Sequence, residues 1–290
     1  MKYHFLSFVL SITLILCVWT GYSKDKPVEE WVASRSFTKD TDSVQQILRV
    51  AQLCDTQLGG FVSIEVSAAI LEKAVQQINK LEPDMVLVAG DMVDSRTDEE
   101  IATFKRISAQ IKAPVLLTPG NHDLLIPVTI AGLQHYRSNF GEDFQVEECK
   151  GYCIISVNSV LWKGTEESSL LHRHDSLLYE ALQVAKKRGQ PVVILTHLPP
   201  FISSADEDDE YFNLPKEKRK DILRLFDENG VILYLAGHTH KTSQRTYRQL
   251  TILNGESTCA NFDGRPRGFR LLTIYPDRSF DWDFISCESD

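Results

Sequence analysis

The stretch VLVAGDMVD, residues 86–94, is an unbroken apolar run that stops on a glycine and two aspartates. A strand covered on both faces reads this way, because no position has to alternate with solvent. The form recurs: AQLCDTQ (51–57), LLTPGNHD (116–123), VILTHLP (193–199) and LYLAGHTH (233–240) each close an apolar run on polar residues. Sheets with helical crossovers assemble their sites at the carboxyl ends of such strands.

Between these runs the period changes. Ile64, Ala68, Leu71, Val75 and Ile78 share one helical face. Thr97 and Glu100 form a capping-box pattern ahead of Ile101, Phe104, Ile107 and Ile111. Asp175 to Arg188 reads as a helix stopped by Gly189, and PKEKRKDILRLFDENG (215–230) as one opened by Pro215 and stopped by Asn229-Gly230. YCIISVNS (152–159) reads as a strand, and Lys241 to about Ile285 alternates like antiparallel strands. The class is therefore α/β with a late β-rich part, and no composition break divides residues 45–288.

With 290 residues and 43% hydrophobic content, the chain can bury a sizeable core. Its net charge of -9 argues against a broad hold on nucleic acid, which needs clustered Lys and Arg. The segment MKYHFLSFVLSITLILCVWTGYSKDK reads as a secretory signal over residues 1–23, with Lys2 before an apolar run that is short for a bilayer helix. An uncleaved membrane anchor is the alternative; a cleaved signal leaves no stable span. Residues 24–44 read as a polar linker and 45–288 as the folded domain. In an oxidising compartment, Cys149 and Cys153 could close a hairpin as a disulfide or remain half-buried thiols.

The polar endings together hold aspartates, an amide pair and four of the eight histidines, His122, His197, His238 and His240. Mixed anionic oxygen and neutral nitrogen suits Mn, Fe or Zn better than Ca or Mg. Two such ions about 3.5–4 Å apart can activate water and stabilise in-line displacement at phosphorus. Hydrolysis of a phosphoester is the reaction this donor set fits.

In order, DTQ, GDMVD, GNHD, THLP and GHTH resemble the signature D-x-H, G-D-x-x-D, G-N-H-[DE], H, G-H-x-H of the calcineurin-like metallophosphoesterase superfamily. LQHYRSNFGEDF, THLPPFISSADEDDEYFNLPKEKR and GRPRGFRLL are similar to its small serine/threonine phosphatase branch. The resemblance implies a four-layer α/β/β/α sandwich of two mixed sheets. It also implies a dinuclear centre of divalent or trivalent transition metals with a bridging hydroxide. By motif position, Asp55, Gln57, Asp91 and His240 would hold one ion, and Asp91, Asn121, His197 and His238 the other. His122 would stabilise the phosphoryl group or protonate the leaving oxygen, with Asp94 orienting it and Asp123 supporting the turn. Gln57 departs from the family pattern, which has His there; an amide oxygen is a weaker and harder ligand, which shifts preference toward Mn or Fe.

Outside these motifs, Arg265 and Arg267 are either substrate-anion contacts or solvated cations, and His172 and His174 read as surface residues near a helix start. The acidic run SADEDDEYF (204–212) is either a solvated loop beside the cleft or a selector for basic flanking residues. The expected partner is a phosphorylated small molecule or protein, and a phosphomonoesterase is the leading reading. A phosphodiesterase on cyclic nucleotides or phospholipid head groups is the runner-up, and a catalytically silent metal-binding scaffold the rival from another class.

Overall fold

The computed structural model describes residues 44–288, so the proposed signal and all of the linker except Val44 lie outside the described residues. The elements run β1 (Leu48–Leu53), α1 (Ile64–Leu81), β2 (Met85–Ala89), α2 (Asp98–Ser108), β3 (Val115–Thr118), α3 (Asn121–Leu124) and α4 (Ile130–Phe140). Then follow β4 (Gln145–Cys149), β5 (Tyr152–Ser156), α5 (Val160–Lys163), α6 (Ser168–Lys187), β6 (Val192–Leu195), α7 (Lys216–Glu228) and β7 (Val231–Ala236). The last four strands are β8 (Ser243–Tyr247), β9 (Leu250–Asn254), β10 (Gly268–Ile274) and β11 (Phe280–Ser286).

Two mixed sheets result, one ordered β11-β10-β1-β2-β3 and the other β4-β5-β6-β7-β9-β8. The apolar runs β1, β2 and β3 lie parallel at the centre and one edge of the first sheet, and β5, β6, β7 and β9 lie parallel in the second. The late strand β10 folds back antiparallel onto both β1 and β11.

Side-chain parity divides the core. Leu48, Val50, Met85, Leu87 and Ala89 of the first sheet pack with Tyr152, Ile154, Val193, Leu195, Leu233 and Leu235 of the second. The alternate set, including Ala51, Leu53, Val86, Val88, Ile155, Ile194 and Tyr234, packs with helical residues such as Leu71, Ile78, Phe104, Leu178 and Phe226. Each central strand is thus apolar on both faces because one meets the other sheet and the other meets helices, which makes the four layers.

Several sequence readings correspond to the elements observed. Helix α1 buries Ala68, Leu71, Val75 and Ile78, and the Thr97–Glu100 capping box is formed in full. Helix α2 stops at Ser108, so Ile111 packs from the following loop. Helix α6 starts at Ser168, a full turn and more before Asp175. That extension buries His174, correcting its reading as a surface residue: its ring packs against Phe144 and Trp162, and its Nε2 accepts the Asn158 N–H at 3.1 Å. Cys149 and Cys153 are free thiols. In the β4–β5 hairpin they are not opposed, since Cys149 pairs with Tyr152 and Cys153 with Glu148.

The capping box is a direct test of local stability. Thr97→Ala removes the side-chain acceptor of the Glu100 N–H and is expected to destabilise the protein by about 1 kcal/mol in equilibrium denaturation.

Candidate metal centre

The five polar strand endings converge at one seam. Strands β1, β2 and β3 of the first sheet lead into Asp55, Gln57, Asp91 and Asn121; β6 and β7 of the second lead into His197, His238 and His240. Carboxylates and amides therefore come from one sheet and imidazoles from the other. His197 Nε2 lies 3.2 Å from Asp91 Oδ2, and His240 Nε2 lies 3.4 Å from Asp55 Oδ1. The ligand atoms of Asp91, His197 and His238 all fall within 4.8 Å of one another.

The backbone bends sharply to achieve this. Asp55, Gln57, Asp91, His238 and His240 all have positive φ, between 37° and 69°. Non-glycine residues pay about 1–3 kcal/mol for sparsely populated conformations, which survive where the surroundings over-determine them. The motif glycines supply room. A Cβ on Gly120 would sit 2.0 Å from Asp91 Oδ1, and one on Gly237 would sit 2.6 Å from Asp55 Oδ2.

One donor of each ring and side-chain amide is spent on a protein partner outside the seam. His197 Nδ1 donates to the Ala89 carbonyl at 2.8 Å, His240 Nδ1 to the Ala260 carbonyl at 2.6 Å, and His238 Nε2 to the Tyr211 carbonyl at 3.3 Å. A carbonyl can only accept, so each ring carries a proton there and turns its other nitrogen toward the seam. Asn121 Nδ2 donates to the Tyr211 hydroxyl at 3.3 Å, while its Oδ1 lies 3.0 Å from His197 Nε2. Gln57 Nε2 donates to Asp94 Oδ1 at 3.1 Å and stands 3.2 Å from His122 Nε2. Gln57 Oε1 is buried with no hydrogen-bond partner. An orphaned oxygen beside carboxylates and imidazole nitrogens turned toward the seam fits a cation, and these donors suit two.

The electrostatics agree. Burial opposes charge on His197, but the adjacent Asp91 carboxylate overrides it and holds the imidazole up at about 9. Burial likewise works against the Asp91 anion, and His197 holds that carboxyl down at about 2. Burial, with the charge on His197, pushes His238 down to about 3, which keeps it neutral and able to ligate.

His122 sits at the rim. Its Nδ1 is 3.1 Å from the Asp94 carbonyl and 3.2 Å from Asp94 Oδ1, and its backbone N–H donates to Asp91 Oδ1 at 2.8 Å. Asp123 ties the GNHD turn to the β2 ending, accepting the N–H groups of Gly120 at 2.8 Å and Met92 at 3.0 Å.

Not every nominated residue joins the centre. Arg267 Nε is 2.6 Å from Glu288, and Arg265 lies 3.6 Å from Glu256 and 3.7 Å from Asp263, so both cations have acidic partners of their own. The acidic run is a built loop. Glu207 accepts the N–H groups of Ile202, Ser203 and Ser204, and the buried Arg219 donates to the carbonyls of Ala205, Glu207 and Leu214. That loop delivers Tyr211 onto Asn121 and His238, a placement no sequence spacing announces, since the acids beside it dominate the stretch.

Residues 48–242 match the family described as calcineurin-like phosphoesterase. The chain is 28% identical over 262 residues to the serine/threonine-protein phosphatase CPPED1 of Homo sapiens, covering 86% of this chain and 83% of that one. Against the Bos taurus CPPED1 it is 27% identical over 269 residues, covering 89% and 85%. A solved dimetal phosphatase from Danio rerio superposes with a TM-score of 0.61 at 14% identity, over 83% of this chain and 99% of that one, a likeness of fold.

The charge state of His197 makes metal uptake pH-dependent. Metal-free protein at pH 7 holds a proton on His197 that a metal must displace, because the group titrates at about 9. Calorimetry in buffers of different ionisation enthalpy should show proton release on binding at pH 7, with affinity rising up to about tenfold per pH unit toward 9.

Proposed function

The chain belongs to the calcineurin-like phosphoesterase family, and from that premise we propose that it is a phosphomonoesterase of the protein-phosphatase type. The observation that carries the reading is the convergence of ligand atoms at the seam: Asp55, the orphaned Gln57 Oε1 and His240 beside Asp91, then Asn121 Oδ1, His197 and His238. The first group would hold one metal and the second the other, with Asp91 common to both. Bound there, a metal pair supplies an activated water and neutralises phosphoryl charge.

The chain's own residues do the rest. His122 turns Nε2 toward the Gln57 amide, 3.2 Å away, since Nδ1 is engaged by Asp94, so Nε2 is the atom that would meet the phosphoryl group and, once the ring is protonated, hand a proton to the leaving oxygen. Asp94 fixes the ring, and its contact with the Gln57 amide holds Oε1 toward the cation position. The amide oxygen at Gln57 favours Mn or Fe at that position over Zn.

The retained His122, Asp94 and complete donor set weigh against a silent scaffold. A diesterase reading uses the same centre and is separated by assay. The decisive experiment is metal analysis coupled to turnover of a monoester, a diester and a phosphopeptide; no monoester turnover with two metals bound would sink the proposal. We also propose export directed by residues 1–23, supported by Lys2 and the apolar run after it. Fractionation and N-terminal sequencing of the expressed protein test this, and an intact N-terminus in the cytosolic fraction would refute it.

His122→Ala should retain both metals and lose about 10²–10⁴-fold in turnover, read by kcat alongside metal content. Gln57→His replaces the weakest ligand with imidazole and should tighten the first metal in chelator competition while shifting preference toward Zn.

A further inference from the structure

Five aromatic rings are more than a third exposed among the described residues: Phe61 at 55%, Tyr179 at 54%, Tyr211 at 58%, Phe212 at 37% and Phe262 at 46%. Four of them rest on the metal centre. Phe262 stacks on His240 with ring centroids 4.6 Å apart and planes 10° apart, and Phe61 meets both His240 and Phe262 edge-on at 5.3 Å. On the other side, Tyr211 and Phe212 lie 5.1 and 5.3 Å from His238. Holding imidazoles in place would be served by buried rings, yet these keep large areas in water, which disfavours apolar surface unless something covers it.

Their position says what covers them. Phe61 follows the Gly59-Gly60 turn, where a Cβ on Gly60 would lie 3.0 Å from Gln57 and 3.2 Å from Asp94 Oδ1. The turn that carries Phe61 therefore lies against Asp94, the group that holds His122, and in the proposed mechanism the leaving oxygen faces His122. A group bonded to that oxygen would then extend toward Phe61 and Phe262, which pack on each other and on His240.

We infer that this aromatic rim selects phosphomonoesters whose leaving group carries a planar aromatic ring, with Phe61 and Phe262 as its principal wall. The inference rests on the phosphomonoesterase reading and adds the substrate class. A ring placed edge-on or offset against Phe61 gains contact that an alkyl chain of similar size does not. The same chemistry occurs in small aryl or arylalkyl phosphates and in phosphotyrosyl side chains.

The test must separate ring recognition from leaving-group reactivity. 2-Phenylethyl phosphate and butyl phosphate release alcohols of similar acidity, so their KM values compare binding. With metals loaded, KM for the phenylethyl ester should be about two- to tenfold lower. Phe61→Leu and Phe262→Leu should collapse that ratio at unchanged metal content, and Tyr179→Leu, remote from the centre, should leave it intact. Equal KM values for the two esters, or a ratio unchanged in both rim variants, would overturn the inference.

Absence of turnover for every ester would defeat the phosphomonoesterase reading instead. The rim would then be read by calorimetry with phenylphosphonate and methylphosphonate, and equal affinities would overturn it. Two peptides of one sequence bearing phosphotyrosine or phosphoserine separate the sources: a lower KM for phosphotyrosine assigns a protein substrate, and a preference confined to the small esters assigns a small aryl phosphate.

Discussion

The structure depends on the meeting of opposite donor types across the seam between two sheets. Asp55 and Asp91 arrive from the first sheet, His197, His238 and His240 from the second, and neither set is stable alone. Two buried carboxylates repel each other, and buried imidazoles resist protonation. Across the seam, Asp91 holds His197 charged and is itself held ionised by it. His238 donates its backbone N–H to both Asp55 oxygens, at 3.0 and 3.1 Å, so this pairing also closes the sandwich edge.

That arrangement explains the backbone. Strand residues project alternately to the two faces, and neither face points along the seam. The turn into positive φ at Asp55, Gln57, Asp91, His238 and His240 redirects the side chains along it. The hydrophobic core beneath, with Leu87, Ala89, Leu195 and Leu235 packed between the sheets, supplies the rigidity that keeps such conformers populated.

The same logic of spent donors runs through every candidate ligand that has a donor. Carbonyls of Ala89, Ala260 and Tyr211 take the imidazole protons, Tyr211 takes the Asn121 amide, and Asp94 takes the Gln57 amide. Gln57, at the position where the resembled signature has histidine, fits this scheme through its orphaned oxygen and also stands 3.2 Å from His122 Nε2. One residue thereby links the proposed cation position to the proposed proton donor.

Much was legible in the sequence, because apolar runs ending in Asp, Asn and His specify buried strands with polar ends. The capping box of Thr97 and Glu100 and the face of α1 depend on neighbours three and four residues away, so they too are local. His174 was misjudged because its burial depends on Phe144 and Trp162, which arrive from other elements. The aromatic rim was invisible for the same reason: Phe61, Tyr211 and Phe262 are far apart in the chain and share no spacing. Sequence alone determined which residues could bind metal, since donor chemistry belongs to the side chain. Only tertiary structure decided which atom of each ring or amide faces the seam and what surrounds the centre, because hydrogen-bond partners and packing come from the opposite sheet and its loops.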